Sequence, residues 1–168
     1  ELRDFFFDRL RVMFKDQGYT AQEIDAVLSL NPDQLNEIPA RLAAVRSFEK
    51  LPESEALAAA NKRISNILKK IEGEVPTKID PSLFESDAEK ALSSAIDQVE
   101  PAALADFEAG HYEEMLSRLS TLKTPVDEFF DKVMVNADDP ALRANRQALL
   151  ARLHHLMNQV AELAKIAQ

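Results

Sequence analysis

Only three glycines, Gly18, Gly73 and Gly110, interrupt this chain of 168 residues, and that scarcity constrains the fold more than any other feature. The rest of the chain is rich in Ala, Leu, Glu and Lys, residues that lose little when fixed in a helix, so helix is expected almost everywhere. A chain of this length buries roughly 70% of the surface its unfolded form exposes, enough for a real core. Cysteine is absent, which excludes disulfides and thiolate metal sites and points to a reducing, cytoplasmic setting. No apolar run approaches the ~20 residues that cross a bilayer, so no membrane association is expected. The chain opens "ELRDFFF" without a Met and is read as a piece of a longer protein.

The helices can be placed from their punctuation. In "RDFFFDRLRVMFKDQG" the apolar residues Phe6, Leu10, Met13 and Phe14 make a helix face, with Phe7 and Phe14 two turns apart and Gly18 as the stop. "TAQE" at 20–23 is a capping box, Thr20 at the N-cap and Glu23 at N3. A helix over about 40–50 carries Leu42, Val45 and Phe48, and another follows Pro52 over about 53–71. Gly73, Pro76 and Pro81 mark the one clear loop, 72–81. "SDAE" at 86–89 opens a further capped helix that Gly110 closes. Thr124-Pro125 and Asp139-Pro140 each pair an N-cap with proline at the first helical position. The second pair launches the longest helix, to about Ala167, with a stripe of Leu142, Leu149, Leu153, Leu156, Val160 and Leu163. The expected fold is all-α, an antiparallel bundle of eight or nine helices. It forms one domain, with an N-terminal half over 1–71, the loop 72–81, and a C-terminal half over 82–168.

The chain carries no phosphate-binding glycine loop, no Ser or Cys nucleophile motif and no zinc-binding His–Glu helix, so no catalytic residue is expected. His154 and His155 are adjacent and point about 100° apart on a helix, which rules out a shared metal; no metal site is expected.

One window breaks the overall charge balance. The chain holds 29 Asp+Glu against 20 Lys+Arg, a formal charge of −9, yet 57–70 contains Lys62, Arg63, Lys69 and Lys70 and no acid. Net acidity weighs against a nucleic-acid partner, so only a local patch can supply one. On a wheel of about 100° per residue centred on Ile64, the residues Leu57, Ala60, Ile67, Leu68 and Ile71 fall on one face. Lys62, Asn66 and Lys69 lie opposite, and Arg63 stacks with Lys70 along the edge. Such a surface can hold phosphate oxygens through its cations while Asn66 and Ser65 reach base edges. The alternative is a solvated polar face whose cations pair with acids from a neighbouring helix. Arg146 falls inside the apolar stripe of the last helix, where it is expected to be structural, with Asp127 and Asp131 as the nearest candidate partners. Arg143, at the stripe's edge, fits either use.

"ANKRISNILKK" (60–70) followed by "FFDKVMVNADDPALRANRQALLARL" (129–153) resembles the C-terminal anticodon-binding domain of bacterial glycyl-tRNA synthetase β subunits. "FFFDRLRVMFKDQGYTAQEIDAVL" (5–28) is similar to the same subunit just upstream, so the likeness runs in order along nearly the whole chain. The blocks are also similar to the DALR-type anticodon-binding domain of arginyl-tRNA synthetases; here the letters are "DPALR", 139–143. The resemblance implies an all-helical module that recognises the anticodon stem-loop of tRNA. Lys62, Arg63, Asn66, Lys69, Lys70 and Arg143 are then the candidate tRNA contacts. ATP and Mg would bind elsewhere in the parent complex, with none in this segment. The implied partners are tRNA, the synthetase α subunit and the rest of the β subunit, not DNA. A base-stacking group would come from Tyr19, Phe48 or the Arg63 guanidinium. The alternative function is a non-catalytic helical docking domain within a multi-subunit synthetase.

Overall fold

A computed structural model describes residues 2–167, and all regular structure among them is helical. The chain runs α1 (Leu2–Asp16), α2 (Ala21–Leu28), α3 (Ile38–Glu49), α4 (Ser54–Lys69), α5 (Asp87–Glu108), α6 (Tyr112–Leu119), α7 (Lys123–Lys132) and α8 (Pro140–Met157). Short 3-10 turns precede α3 and α5, join α6 to α7, and end the chain at Leu163–Ile166. Residues 112–132 form one continuous helical run, so the described residues make seven separate helical rods and not eight or nine. The Thr124-Pro125 signal therefore starts nothing. The 3-10 turn Ser120–Leu122 feeds directly into α7, and Thr124 lies inside the helix. Pro125 falls in the first turn of α7, directly after that 3-10 turn, the part of a helix where proline is tolerated.

Both predicted capping boxes form. Thr20 Oγ1 accepts from Glu23 N at 3.1 Å, and Glu23 Oε1 accepts from Thr20 N at 2.7 Å. Ser86 Oγ accepts from Glu89 N at 3.2 Å, and Glu89 Oε1 accepts from Ser86 N at 3.2 Å. Asp139 caps α8 through Ala141 N at 2.9 Å, with Pro140 in the first helical position.

One hydrophobic cluster runs through the molecule, with Phe48, Leu57, Ile64, Leu92, Ile96, Met115, Leu119, Phe129, Leu149 and Leu153 all fully buried. Each such side chain contributes about 1.5–3 kcal/mol of transfer free energy. α3 packs against α2 and α6; α5 packs against α6, α7 and α8; α4 packs against α7, α8 and the terminal 3-10 turn. The first helix departs from expectation: Phe7 and Phe14 enter the core, whereas Phe6 and Met13 are each 44% exposed.

The last helix is also shorter than its apolar stripe suggests. α8 ends at Met157, and the chain then reverses and returns across α2 and α4. The reversal has its own hydrogen bonds. Asn158 Oδ1 accepts from Leu163 N at 2.9 Å, and Arg41 Nη1 donates to the Gln159 and Val160 carbonyls at 2.7 and 2.9 Å. Glu162 N donates to Ala26 O at 2.7 Å. Val160 and Leu163 are still buried, but from the returning strand of chain and not from a continuous helix.

Candidate functional site

α4 is built to hold one face in and one face out. Leu57, Ala60 and Ile64 are buried, Ile67 and Leu68 half-buried, while Lys62, Arg63, Asn66, Lys69 and Lys70 are exposed. Lys69 and Lys70 sit at the C-terminal end, where cations complement the helix dipole. Among the described residues, no carboxylate lies within 4.0 Å of Lys62, Arg63, Lys69 or Lys70. The pairing alternative for this face is therefore not realised.

The ridge separates two open grooves. One, of about 220 Å³, lies between α4 and the returning chain and is lined by Lys62, Ser65, Asn66, Lys69, Glu162 and Lys165. The single acid in it is partly occupied, since Ser29 Oγ donates to Glu162 Oε2 at 2.7 Å. The other groove, of about 400 Å³, lies between the 70–76 segment and the start of α8. Lys70 and Arg143 line it with Asn136 and Gln147, and so do Glu72 and Glu74. The structure thus brings the six sequence-predicted residues to one helix and its two flanks. Lys62, Asn66 and Lys69 share one groove, Lys70 and Arg143 share the other, and Arg63 stands on the edge of the face.

Arg143 Nη1 donates to Ala137 O at 3.1 Å, which ties down the 133–139 segment. Arg63 lies over the Phe130 ring at 4.3 Å from the centroid, so α7 supplies an aromatic platform for its guanidinium. Of the other stacking candidates, Phe48 is 1% exposed and belongs to the core. Tyr19 is half-buried beneath the Arg46 guanidinium, 4.4 Å from the ring centroid.

Sequence reasoning did not place Lys165 or Phe130 at this site. Lys165 reaches it only because the chain reverses at Asn158, whose Nδ2 donates to the buried Asn61 Oδ1 of α4 at 2.9 Å. No glycine or proline marks that turn. Phe130 follows the fully buried Phe129 in sequence and reads as core beside it. His154 is half-buried behind this face. Burial pushes its pKa down, with Glu162 opposing the shift and His155 and Lys69 adding to it.

Arg146 is structural, but its partners are not Asp127 and Asp131. Its Nε donates to Glu89 Oε2 at 3.2 Å, its Nη2 lies 3.3 Å from Glu85 Oε1, and its Nη1 donates to Met134 O at 2.8 Å. Neighbouring Asn145 holds Asp80 by both backbone groups, at 2.7 and 3.1 Å, and so pins the 72–83 segment to α8. These bonds fix the wall of the larger groove.

A family model described as the DALR anticodon binding domain matches residues 57–167. The chain belongs to that family. The match takes in α4, both grooves, α8 and the returning segment that carries Lys165. The chain is also 60% identical over 166 residues to a glycine–tRNA ligase β subunit of Leptothrix cholodnii. It is 57% identical over 163 residues to the corresponding subunit of Thiobacillus denitrificans, and 57% over 166 residues to that of Dechloromonas aromatica. These alignments cover 97–99% of this chain but only 23% of each relative, so the chain spans about a quarter of the length of the curated relatives it matches. No helix in the described residues is long and apolar enough to cross a membrane.

Proposed function

We propose that this DALR domain recognises the anticodon stem-loop of tRNA on the outer face of α4, as part of a glycine–tRNA ligase β subunit. The observation that carries the reading is the row of unpaired cations. An acidic protein leaves Lys62, Arg63, Lys69 and Lys70 exposed and without carboxylate partners among the described residues, and flanks them with open grooves. Lys62, Lys69 and Lys165 contact the phosphate backbone. Asn66, Asn136 and Gln147 supply amides that can read a base edge, and the Arg63 guanidinium offers a flat surface to an unstacked base. The tRNA is held here while glycine activation, with ATP and Mg, takes place elsewhere in the complex on the α subunit. The setting is the cytoplasm.

The test is a titration of the chain against glycine-accepting tRNA, with an anticodon-substituted tRNA beside it, at several salt concentrations. The expected result is weaker binding to the substituted tRNA. Log affinity should fall linearly with log salt, at about −0.7 to −0.9 per phosphate neutralised. Equal binding of both tRNAs, or affinity indifferent to salt, overturns the proposal.

A further inference from the structure

The first helix has two apolar faces, and the fold uses one. Phe7 and Phe14 face α2 and are buried. Leu2, Phe5, Phe6, Val12 and Met13 are 86%, 61%, 44%, 63% and 44% exposed, five of the nine large exposed hydrophobics among the described residues. At about 100° per residue, these five fall with Arg9 and Asp16 inside an arc of about 120°, centred roughly 150° from the Phe7–Phe14 direction. The free stripe is thus on the far side of α1 from its own core. Val12 also walls an open groove of about 540 Å³ shared with Ala21 and Ile24 of α2. A contiguous apolar surface of this kind, edged by Asp8, Arg11 and Lys15, marks an interaction site.

We propose that this face of α1 docks onto a part of the longer β subunit that lies outside these 168 residues, through an apolar surface that sets a carboxylate against Arg9. Two observations choose that occupant. First, α1 lies outside the 57–167 family match, yet inside the 97–99% of the chain shared with the β subunits. The helix therefore goes with that subunit and not with the anticodon-binding module as such, and about three quarters of each relative's length lies beyond the match. Second, charge disfavours a second copy. Arg9 sits at the middle of the stripe, exposed, with no carboxylate of the described residues within 4.0 Å and the Phe5 ring 5.5 Å beneath it. Two such helices paired in full, parallel or antiparallel, would bring Arg9 against Arg9 in a desolvated seam. Like charges in that position oppose association. A carboxylate opposite Arg9 removes the difficulty.

The absence of cysteine makes the test direct. Single Val12→Cys, Arg9→Cys and Lys15→Cys variants are made in this chain alone. They are also made in the full-length Leptothrix cholodnii subunit with its matching segment replaced by this chain. Maleimide labelling at each position is read by peptide mass spectrometry, without tRNA, so the result is independent of the anticodon reading. Cysteines at 12 and 9 should label about tenfold more slowly, or less, in the full-length subunit, and the one at 15, on the polar edge, at similar rates in both. Arg9→Cys gives the readout without removing an apolar side chain. Equal rates at 12 and 9 in the two proteins overturn the proposal. So does sedimentation of the isolated chain as a dimer with position 12 protected, which assigns the face to a second copy. Protection that appears only on adding the catalytic α subunit also overturns it, and moves the occupant to that chain.

Discussion

Arg146 and the α4 ridge carry the same sign of charge on two helices that pack together, and the fold treats them in opposite ways. Arg146 is 8% exposed and is met by Glu89, Glu85 and a backbone carbonyl. Arg152 is held likewise by Asp97 at 2.8 Å and Glu100 at 2.9 Å, and Arg118 by Asp106 at 2.9 Å. The cations of α4 form no ion pair among the described residues, although acids outnumber bases 29 to 20 across the chain. With carboxylates in surplus, unpaired lysines need an arrangement that keeps acids away. The acid-free window 57–70 provides it locally, and Ser29 engages Glu162, the acid that lines the groove beside Lys62 and Lys69. Burial of a charge demands a partner, whereas an exposed charge left free is available to a ligand.

The contrast predicts that substitutions on the two sides separate stability from binding. The largest effect belongs to Arg146→Ala. It leaves Glu89, whose side chain is 1% exposed, as a buried charge without its cation. The expected cost is about 3–5 kcal/mol, read as a lowered thermal midpoint. An unchanged midpoint would erase the distinction between the two regions. Next comes Lys62→Glu with Lys69→Glu. Thermal stability should stay within about 0.5 kcal/mol per site, because both side chains are exposed and unpaired. The salt slope of tRNA binding should shrink by about one for each lysine lost. Wild-type affinity in the double variant would remove the ridge from the interface. Lys165→Glu follows with a smaller loss, since one lysine is removed from the same groove. If Lys165 continued α8 as a straight helix it would stand away from Lys62 and Lys69, and the substitution would then leave binding unaltered.

Much of this was legible in the sequence, for identifiable reasons. Thr20–Glu23, Ser86–Glu89 and Asp139-Pro140 are local devices whose partners lie within four residues, and each formed as read. The exposed and buried faces of α4 follow from periodicity alone. What sequence could not supply was long-range. Arg146 finds Glu89 across 57 positions, where spacing along one helix or its neighbour has no bearing. The turn at Asn158 is made by Asn61 and Arg41, 97 and 118–119 positions distant, so the stripe of Val160 and Leu163 reads as helix until those partners are known. On α1 the misreading was of a different kind. A helix with two apolar faces offers no internal clue to which one the core takes, and Phe6 with Met13 was the wrong choice.

The smallest expected effect concerns a third arrangement, one arginine set between two acids. Arg46 donates to Glu23 at 2.8 Å, and Glu49 lies against the same pair. For Glu23, burial raises the pKa, but hydrogen bonds from Arg46, Glu49 and the Thr20 backbone outweigh it and hold the carboxyl down at about 2. For Glu49, partial burial, reinforced by the hydrogen bond and repulsion from Glu23, pushes the carboxyl up to about 7. The signs follow from which state binds the proton more tightly. Glu23 contributes stability that is present above about pH 4.5 and lost as pH falls toward 2. Glu49 keeps its proton in the fold after the unfolded chain has released it, so stability is lost as pH rises from about 4.5 to 7. Burial of Glu49 is only partial and much of the side chain stays open to solvent, which screens the interaction and keeps the effect modest. Glu49→Gln should therefore flatten the decline in thermal midpoint between pH 5 and pH 7 and leave the acid limb below pH 4.5 in place. A variant that declines as steeply as the parent would show that Arg46 satisfies both carboxylates at once, and that the paired side of the molecule tolerates acid excess as readily as the ridge tolerates unpaired base.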